Sequence, residues 1–171
     1  DRRRLGELNP NGKVPVLADG DFLLWESCAI MQYLAEQVPG QTIYPLAPQA
    51  RADVNRWLFW AAQHFAPAIS VLAWERAWKG MTGNGPADPL EEARGERDLH
   101  ECAVVLDAHL AGRDWLCGDA VTLADFAVAA PLMYSEAVRL PLVQYQHIEA
   151  WFARVRQLRA WQETDVELLP G

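Results

Sequence analysis

The sequence predicts an α+β protein that is mostly helical, with a β-hairpin and one helix leading into a larger all-helical domain. Three observations carry this. Residues 8–36 hold two short apolar runs split by turn residues and followed by a helical period. The stretch from Pro39 to Pro48 is punctuated by proline. Beyond it, the apolar positions recur at three- and four-residue spacing. The expected organisation is a first domain over 1–38, a linker over 39–47 and a helical domain over 48–171.

In order, the Asn9-Pro10-Asn11-Gly12 turn leads into Val14-Pro15-Val16-Leu17, where a proline interrupts a β-branched run. Proline donates nothing to a ladder, so it marks an edge, a bulge or a bend. Past the turn at Asp19-Gly20-Asp21, Phe22 to Trp25 reads as a second strand pairing back on the first. Glu26-Ser27 then opens a helix running to about Val38, with Ile30, Leu34 and Val38 spaced to face a core. Val38-Pro39-Gly40 ends it.

Pro48 to about Lys79 reads as one long helix with a kink at Pro67. Gly80 to Pro86 is a loop. Asp88-Pro89 pairs an N-cap with proline at the first helical position. From there Leu99, Ala103, Leu106 and Leu110 mark one face, and Gly112 closes the helix. Thr122 to about Val138 is poor in charge and rich in alanine, as suits a buried central helix. Thr122 and Asp125 form a capping box with Asp in place of Glu, and Val121 is placed to staple against Phe126. Further helices span about Gln146 to Leu158 and, briefly, from Ala160.

At 171 residues, 51% hydrophobic and 22% charged, the chain is long enough to bury a substantial core. A net charge of -8 argues against a nucleic-acid surface, and the one basic cluster, Arg2-Arg3-Arg4, reads as a solvated face. No apolar run approaches the roughly 20 residues of a membrane span, and no secretory leader is visible, so a cytoplasmic protein is expected. Cys28, Cys102 and Cys117 are odd in number and form no CxxC, which argues against a disulfide framework and a zinc site. His64, His100, His109 and His147 show no ligand spacing, so no metal is expected.

The chemistry concentrates at the start of the first predicted core helix. Glu26 supplies a carboxylate, Ser27 a hydroxyl, and the first helical turn its unpaired amides. Such a set fits a small peptide-like ligand carrying both an amine and a carboxylate. A cis Val14-Pro15 bond would turn the backbone of Val14 outward, toward an extended peptide. Each piece alone has a bland reading, the Glu-Ser pair being an ordinary cap. Cys28 has two readings: a thiol activated by the helix N-terminus, or a small buried apolar residue.

Gly12-Lys13-Val14-Pro15-Val16-Leu17 followed by Glu26-Ser27-Cys28-Ala29-Ile30 resembles the glutathione-binding half of the soluble glutathione transferases. Gly118-Asp119-Ala120-Val121-Thr122-Leu123-Ala124-Asp125-Phe126 is similar to the capping segment of that family's helical domain, and the resemblance extends from about Leu5 to Trp161. It implies a partial thioredoxin-like domain followed by an all-α C-terminal domain. Glutathione is implied as co-substrate, with Glu26 and Ser27 on its γ-glutamyl end, Val14 beside Pro15 on its cysteinyl backbone, and Lys13 reaching its glycyl carboxylate. It further implies conjugation to a small hydrophobic electrophile, a detoxifying role and a homodimer. The family's thiol-activating Tyr, Ser or Cys lies in a first strand–helix unit. The chain begins at Asp1, so that unit is expected upstream, the alternative being a chain that has lost the residue. Two rival functions stay open: a glutathione-binding protein without turnover, and a glutathione-dependent isomerase or peroxidase.

For the second substrate, Trp57, Trp60, His64, Pro67 and Val71 share one face of the long helix, while Leu58, Ala62, Phe65, Ile69 and Leu72 share another. One face packs in the core and the other looks onto a cleft. Trp57, Trp60 and His64 are the candidates for an apolar substrate, with Trp161 as a cover at the cleft mouth; an aromatic stripe read as core is the alternative.

Overall fold

The structure, a computed structural model, describes residues 2–164, with Arg2 given by its backbone alone. Asp1 and residues 165–171, at the outer ends of the two expected domains, lie outside the described residues. The first element is one that periodicity did not reveal: α1, Arg2–Leu8. Its long charged side chains favour a helix, but they make no repeating apolar face. The Asn9 amide closes it by donating to the Leu5 carbonyl at 2.8 Å.

Strand β1 (Val16–Asp19) pairs antiparallel with β2 (Phe22–Trp25), Val16 lying opposite Trp25 and Asp19 opposite Phe22. Gly20 supplies the φ of +57° that this tight two-residue turn requires. Helix α2 (Ser27–Glu36) folds back over the pair. Its Tyr33 hydroxyl donates to Asp19 Oδ2 at 2.6 Å, and the Tyr33 ring lies 5.4 Å from Phe22.

Helix α2 stops two residues short of Val38, and its core face is not the expected one. Ile30 and Ala35 are buried, whereas Leu34 and Val38 are 47% and 56% exposed. The row through Met31 and Ala35 meets the helical core, which leaves Leu34 and Val38 on the flank of an open apolar hollow of about 640 Å³ beside Phe126.

The long helix runs from Pro48 to Met81, but not as a regular α-helix. Segments α3 (Pro48–Trp60), α4 (Ala66–Ala73) and α5 (Lys79–Met81) are joined by wide π-turns at Ala61–Phe65 and Trp74–Trp78. The first π-turn directly precedes Pro67, whose ring would otherwise press on the carbonyl four residues back. The expected kink is thus absorbed as a bulge. One residue is gained, so Ala62 turns outward while Phe65, Ile69 and Leu72 remain buried.

Helix α6 (Pro89–Leu110) begins as expected, with Asp88 accepting from the Leu90 amide at 2.9 Å. Leu99, Ala103, Leu106 and Leu110 are all buried. Gly95 lets it close on α4: a Cβ there would stand 3.0 Å from side-chain carbons of Leu72 and Val71.

Helix α7 (Leu123–Ala129) is buried as predicted but shorter than 122–138, passing at Ala130 into a 3₁₀ turn that ends at Tyr134. Pro131 cannot continue an α-helical ladder. Helices α8 (Gln146–Arg156) and α9 (Arg159–Gln162) complete the bundle.

Asp125, fully buried, ties this bundle together. Its Oδ1 accepts from the Leu116 amide and from Trp151 Nε1, each at 2.9 Å. Its Oδ2 accepts from the Thr122 amide at 2.8 Å and from the Thr122 hydroxyl at 3.2 Å. Besides the packing of Met31 and Ala35, polar contacts join α2 and the following linker to the bundle. The Leu123 amide donates to the Ile43 carbonyl at 2.9 Å, and Asn55 Oδ1 accepts from Gln32 at 2.7 Å and from the Tyr44 hydroxyl at 3.0 Å.

A side chain of α6 caps α8. Asp107 Oδ1 accepts from the His147 and Ile148 amides at 2.9 and 3.1 Å, and Oδ2 meets His147 Nδ1 at 2.9 Å. Burial alone would raise the Asp107 pKa, but the bonds from His147 and Ile148 outweigh it and hold the carboxyl below its usual range. A depressed folded value stabilises the protein above the unfolded value and loses that contribution as pH falls through the folded one. Replacing Asp107 with Ala is therefore expected to cost about 1 kcal/mol at pH 7, or roughly 2–4 °C in melting temperature. Thermal melts between pH 7 and pH 3 check this: the gap between the two proteins should narrow below about pH 4. A gap that stays constant across that range would contradict the assignment.

Candidate functional site

The first candidate residues fall in the loop before β1 and at the mouth of α2. The Val14-Pro15 bond is cis, as the reading of the motif required. Val14 lies two residues ahead of the first ladder pair and is 77% exposed. Lys13 and Pro15 beside it are exposed as well. Among the described residues no ion pair is made by Lys13 or by Glu26.

Glu26 departs from an ordinary cap. It sits at φ 74°, ψ 114°, and its side chain makes no bond to the first turn of α2. Its carbonyl still accepts from the Ile30 amide at 3.0 Å, so the helix is entered correctly without the side chain. A non-glycine residue at positive φ costs on the order of 1–3 kcal/mol and persists only where its surroundings impose it. Glu26 and Ser27 are both exposed. Among the described residues, a carboxylate without an ion pair, a hydroxyl and first-turn amides without a side-chain cap thus share one helix end.

Cys28 resolves to its structural reading. Its Sγ lies 3.7 Å from the Leu58 carbonyl, and burial pushes the thiol up despite support from Ser27. A thiol so placed stays protonated near neutrality and is a poor nucleophile. Cys117 is more extreme: burial, with the Asp53 carboxylate beside it, pushes it up to about 12.

One residue that the motif reading did not single out organises the loop. Asn9 is 3% exposed, although the residues from Gly6 to Pro15 around it are exposed. Its Nδ2 donates to the Lys13 carbonyl at 2.7 Å, and its Oδ1 accepts from the Asn11 amide at 2.9 Å and from Asn11 Nδ2 at 3.1 Å. Its own carbonyl accepts from the Gly12 amide at 2.8 Å. The available signal was an asparagine before a Pro-Asn-Gly turn, a residue type that hydrogen-bonds local backbone.

The aromatic candidates separate. Trp57 must be corrected: it is 5% exposed and belongs to the core, its ring 4.6 Å from His109 and 5.1 Å from Trp60. It lies on the buried face of the regular helix α3 beside Val54 and Leu58, before the π-turn begins. Trp60 is half-buried and stacks on Phe65 at 5.3 Å, and His64, within the π-turn, is exposed. The exposure rises along this face from Trp57 to His64, so the stripe is neither wholly core nor wholly surface. Trp161 stands edge-on against Phe152 of α8 at 5.5 Å, partly buried on the core. No group of three or more His, Cys, Asp or Glu among the described residues is placed to hold a metal ion. No helix among them is long and apolar enough to cross a membrane.

The hairpin and α2 thus bring Glu26, Ser27 and the first-turn amides together at one helix end, set on a helical bundle. A family model described as glutathione S-transferase, C-terminal domain, matches residues 66–158, and one described as glutathione S-transferase, N-terminal domain, matches residues 1–36. Glutathione S-transferase F10 of Arabidopsis thaliana is 31% identical over 168 residues, spanning 94% of this chain and 76% of the relative. Dichloromethane dehalogenase of Methylorubrum extorquens is 31% identical over 173 residues, spanning 92% of this chain and 60% of the relative. A crystal structure of the theta class glutathione S-transferase from Xanthomonas axonopodis pv. citri, with glutathione bound, matches at 31% identity with a TM-score of 0.84. That match covers 99% of this chain and 80% of the other. The chain belongs to the glutathione S-transferase family.

Proposed function

We propose that the protein is a glutathione transferase that joins the glutathione sulfur to an electrophilic carbon of a small apolar substrate. Glu26 holds the ammonium of the γ-glutamyl head, and Ser27 with the first-turn amides of α2 holds its carboxylate. The main chain of Val14, bent by Pro15, pairs with the cysteinyl residue, and Lys13 reaches the glycyl carboxylate. The thiol gives its proton to solvent, the sulfur electron pair forms the new S–C bond, and the leaving group departs with the bonding pair. Holding both reactants turns a bimolecular attack into a local one.

The observation that supports this most is Glu26 itself, whose backbone sits at positive φ at a helix mouth and whose carboxylate makes no cap bond and no ion pair among the described residues. The thiol-stabilising donor is not assigned: Cys28 is held protonated by burial, and the Tyr33 hydroxyl is engaged with Asp19. Trp60, His64 and Trp161 are the candidates for the apolar substrate. The dehalogenase among the relatives supports a small halogenated carbon as one substrate class. Family membership supports a homodimer, and three free cysteines support the reducing cytoplasm as its setting.

Calorimetric titration with glutathione, run beside a spectrophotometric conjugation assay on an activated aryl chloride, tests the proposal. Binding together with thioether formation is the expected result. Saturable binding with no thioether would replace the enzyme by a binding protein, and no binding at all would remove glutathione as the ligand.

A further inference from the structure

We propose that Asn9 is a positioning residue for glutathione, setting the Lys13–Val14 main chain through its buried carboxamide; this rests on the glutathione reading of the site. The segment from Gly6 to Pro15 carries the peptide-facing backbone, yet its one buried residue is a polar amide rather than an apolar anchor. The geometry of Lys13 and Val14 is therefore set by hydrogen bonds, and those bonds converge on Asn9.

The partners determine which way the amide faces. The Lys13 carbonyl can only accept and the Asn11 main-chain N–H can only donate, so Nδ2 must point to Lys13 and Oδ1 to Asn11. Both ends of the carboxamide are needed. Serine is too short to span the same two groups, and an aspartate of the same shape sets an oxygen against the Lys13 carbonyl. The main chain of Asn9 reinforces the arrangement, donating to Leu5 at the end of α1 and accepting from Gly12. One residue thus links the end of α1, the turn and the carbonyl next to the Val14 amide. A loop anchored in this way keeps its shape without ligand and loses less entropy on binding.

Isothermal titration of glutathione into the wild-type protein and into Asn9→Asp provides the test, because it separates affinity from active fraction. A role in positioning predicts that the dissociation constant rises about tenfold or more while the stoichiometry stays at the wild-type value. A role confined to folding would lower the stoichiometry and leave the dissociation constant of the remaining sites unchanged, and that result would overturn the inference. Should Asn9→Asp not fold, Asn9→Ala removes the donor without adding a repulsive oxygen and is read by the same two quantities. Asn11→Ala, which leaves the bond to Lys13 in place, should stay within about threefold of wild type; a loss equal to that of Asn9→Asp would also contradict the assignment. Wild-type protein that takes up no glutathione would instead overturn the glutathione reading, an outcome distinct from an Asn9 variant that binds as well as wild type.

Discussion

Asp125→Ala is expected to leave a protein that is largely unfolded or insoluble at 37 °C. Four donors converge on this carboxylate, which has no exposed surface: the Leu116 and Thr122 amides, the Thr122 hydroxyl and Trp151 Nε1. Each buried donor left without a partner costs about 1–3 kcal/mol, so the loss is on the order of 4 kcal/mol or more. A domain of ordinary stability holds only about 5–15 kcal/mol in reserve. The contacts also join three parts of the chain, the segment before Thr122, the start of α7 and the middle of α8, so the loss spreads through the bundle. Asp125→Asn, which keeps an acceptor on one side only, should fall between wild type and Asp125→Ala. Chemical denaturation read by tryptophan fluorescence gives the midpoints. An Asp125→Ala midpoint close to wild type would show that the four bonds do not carry the bundle.

Glu26→Gln should have the opposite profile, with glutathione affinity lost and stability kept. The carboxylate makes no cap bond and no ion pair among the described residues, so removing its charge breaks nothing within the fold. A hydrogen bond to a charged group contributes about 1.5–3 kcal/mol, which corresponds to roughly a 10- to 100-fold weaker dissociation constant. The melting temperature should move by no more than about 2 °C, because surface changes of this kind stay within about 0.5 kcal/mol. Retained affinity would place the ligand's ammonium elsewhere. A large fall in melting temperature would mean that Glu26 has a structural partner this account omits.

The features legible in the sequence were those carried by strict local chemistry. Asp88-Pro89 started α6 where a cap and a proline must, and Leu99, Ala103, Leu106 and Leu110 kept their period through burial. The reach of Asp125 back to the Thr122 amide was readable because a capping box is a four-residue device. Its bonds to Leu116 and Trp151 were not, since they depend on how the preceding loop folds back and where α8 packs. Leu34 and Val38 show the limit of periodicity: a short helix offers adjacent apolar rows, and only tertiary packing selects the row through Met31 and Ala35 over Leu34, while Val38 falls beyond the helix end. Trp57 was placed on the substrate face by counting a regular helix through Pro67. The π-turn at Ala61–Phe65 breaks that count and separates Trp57 in the core from His64 at the surface. Asn9 escaped because its role lies in bonds to residues two and four positions away, where no hydrophobic pattern reports it.

On the proposed reading, glutathione lies between the Lys13–Val14 main chain and the mouth of α2. Amide chemical-shift mapping by ¹⁵N–¹H NMR during a glutathione titration addresses this placement directly. The account predicts that the largest, saturable shifts fall on Lys13, Val14, Glu26, Ser27 and Cys28, with Asn9 and Asn11 following. Saturable shifts centred on another part of the molecule, with these amides unmoved, would contradict it.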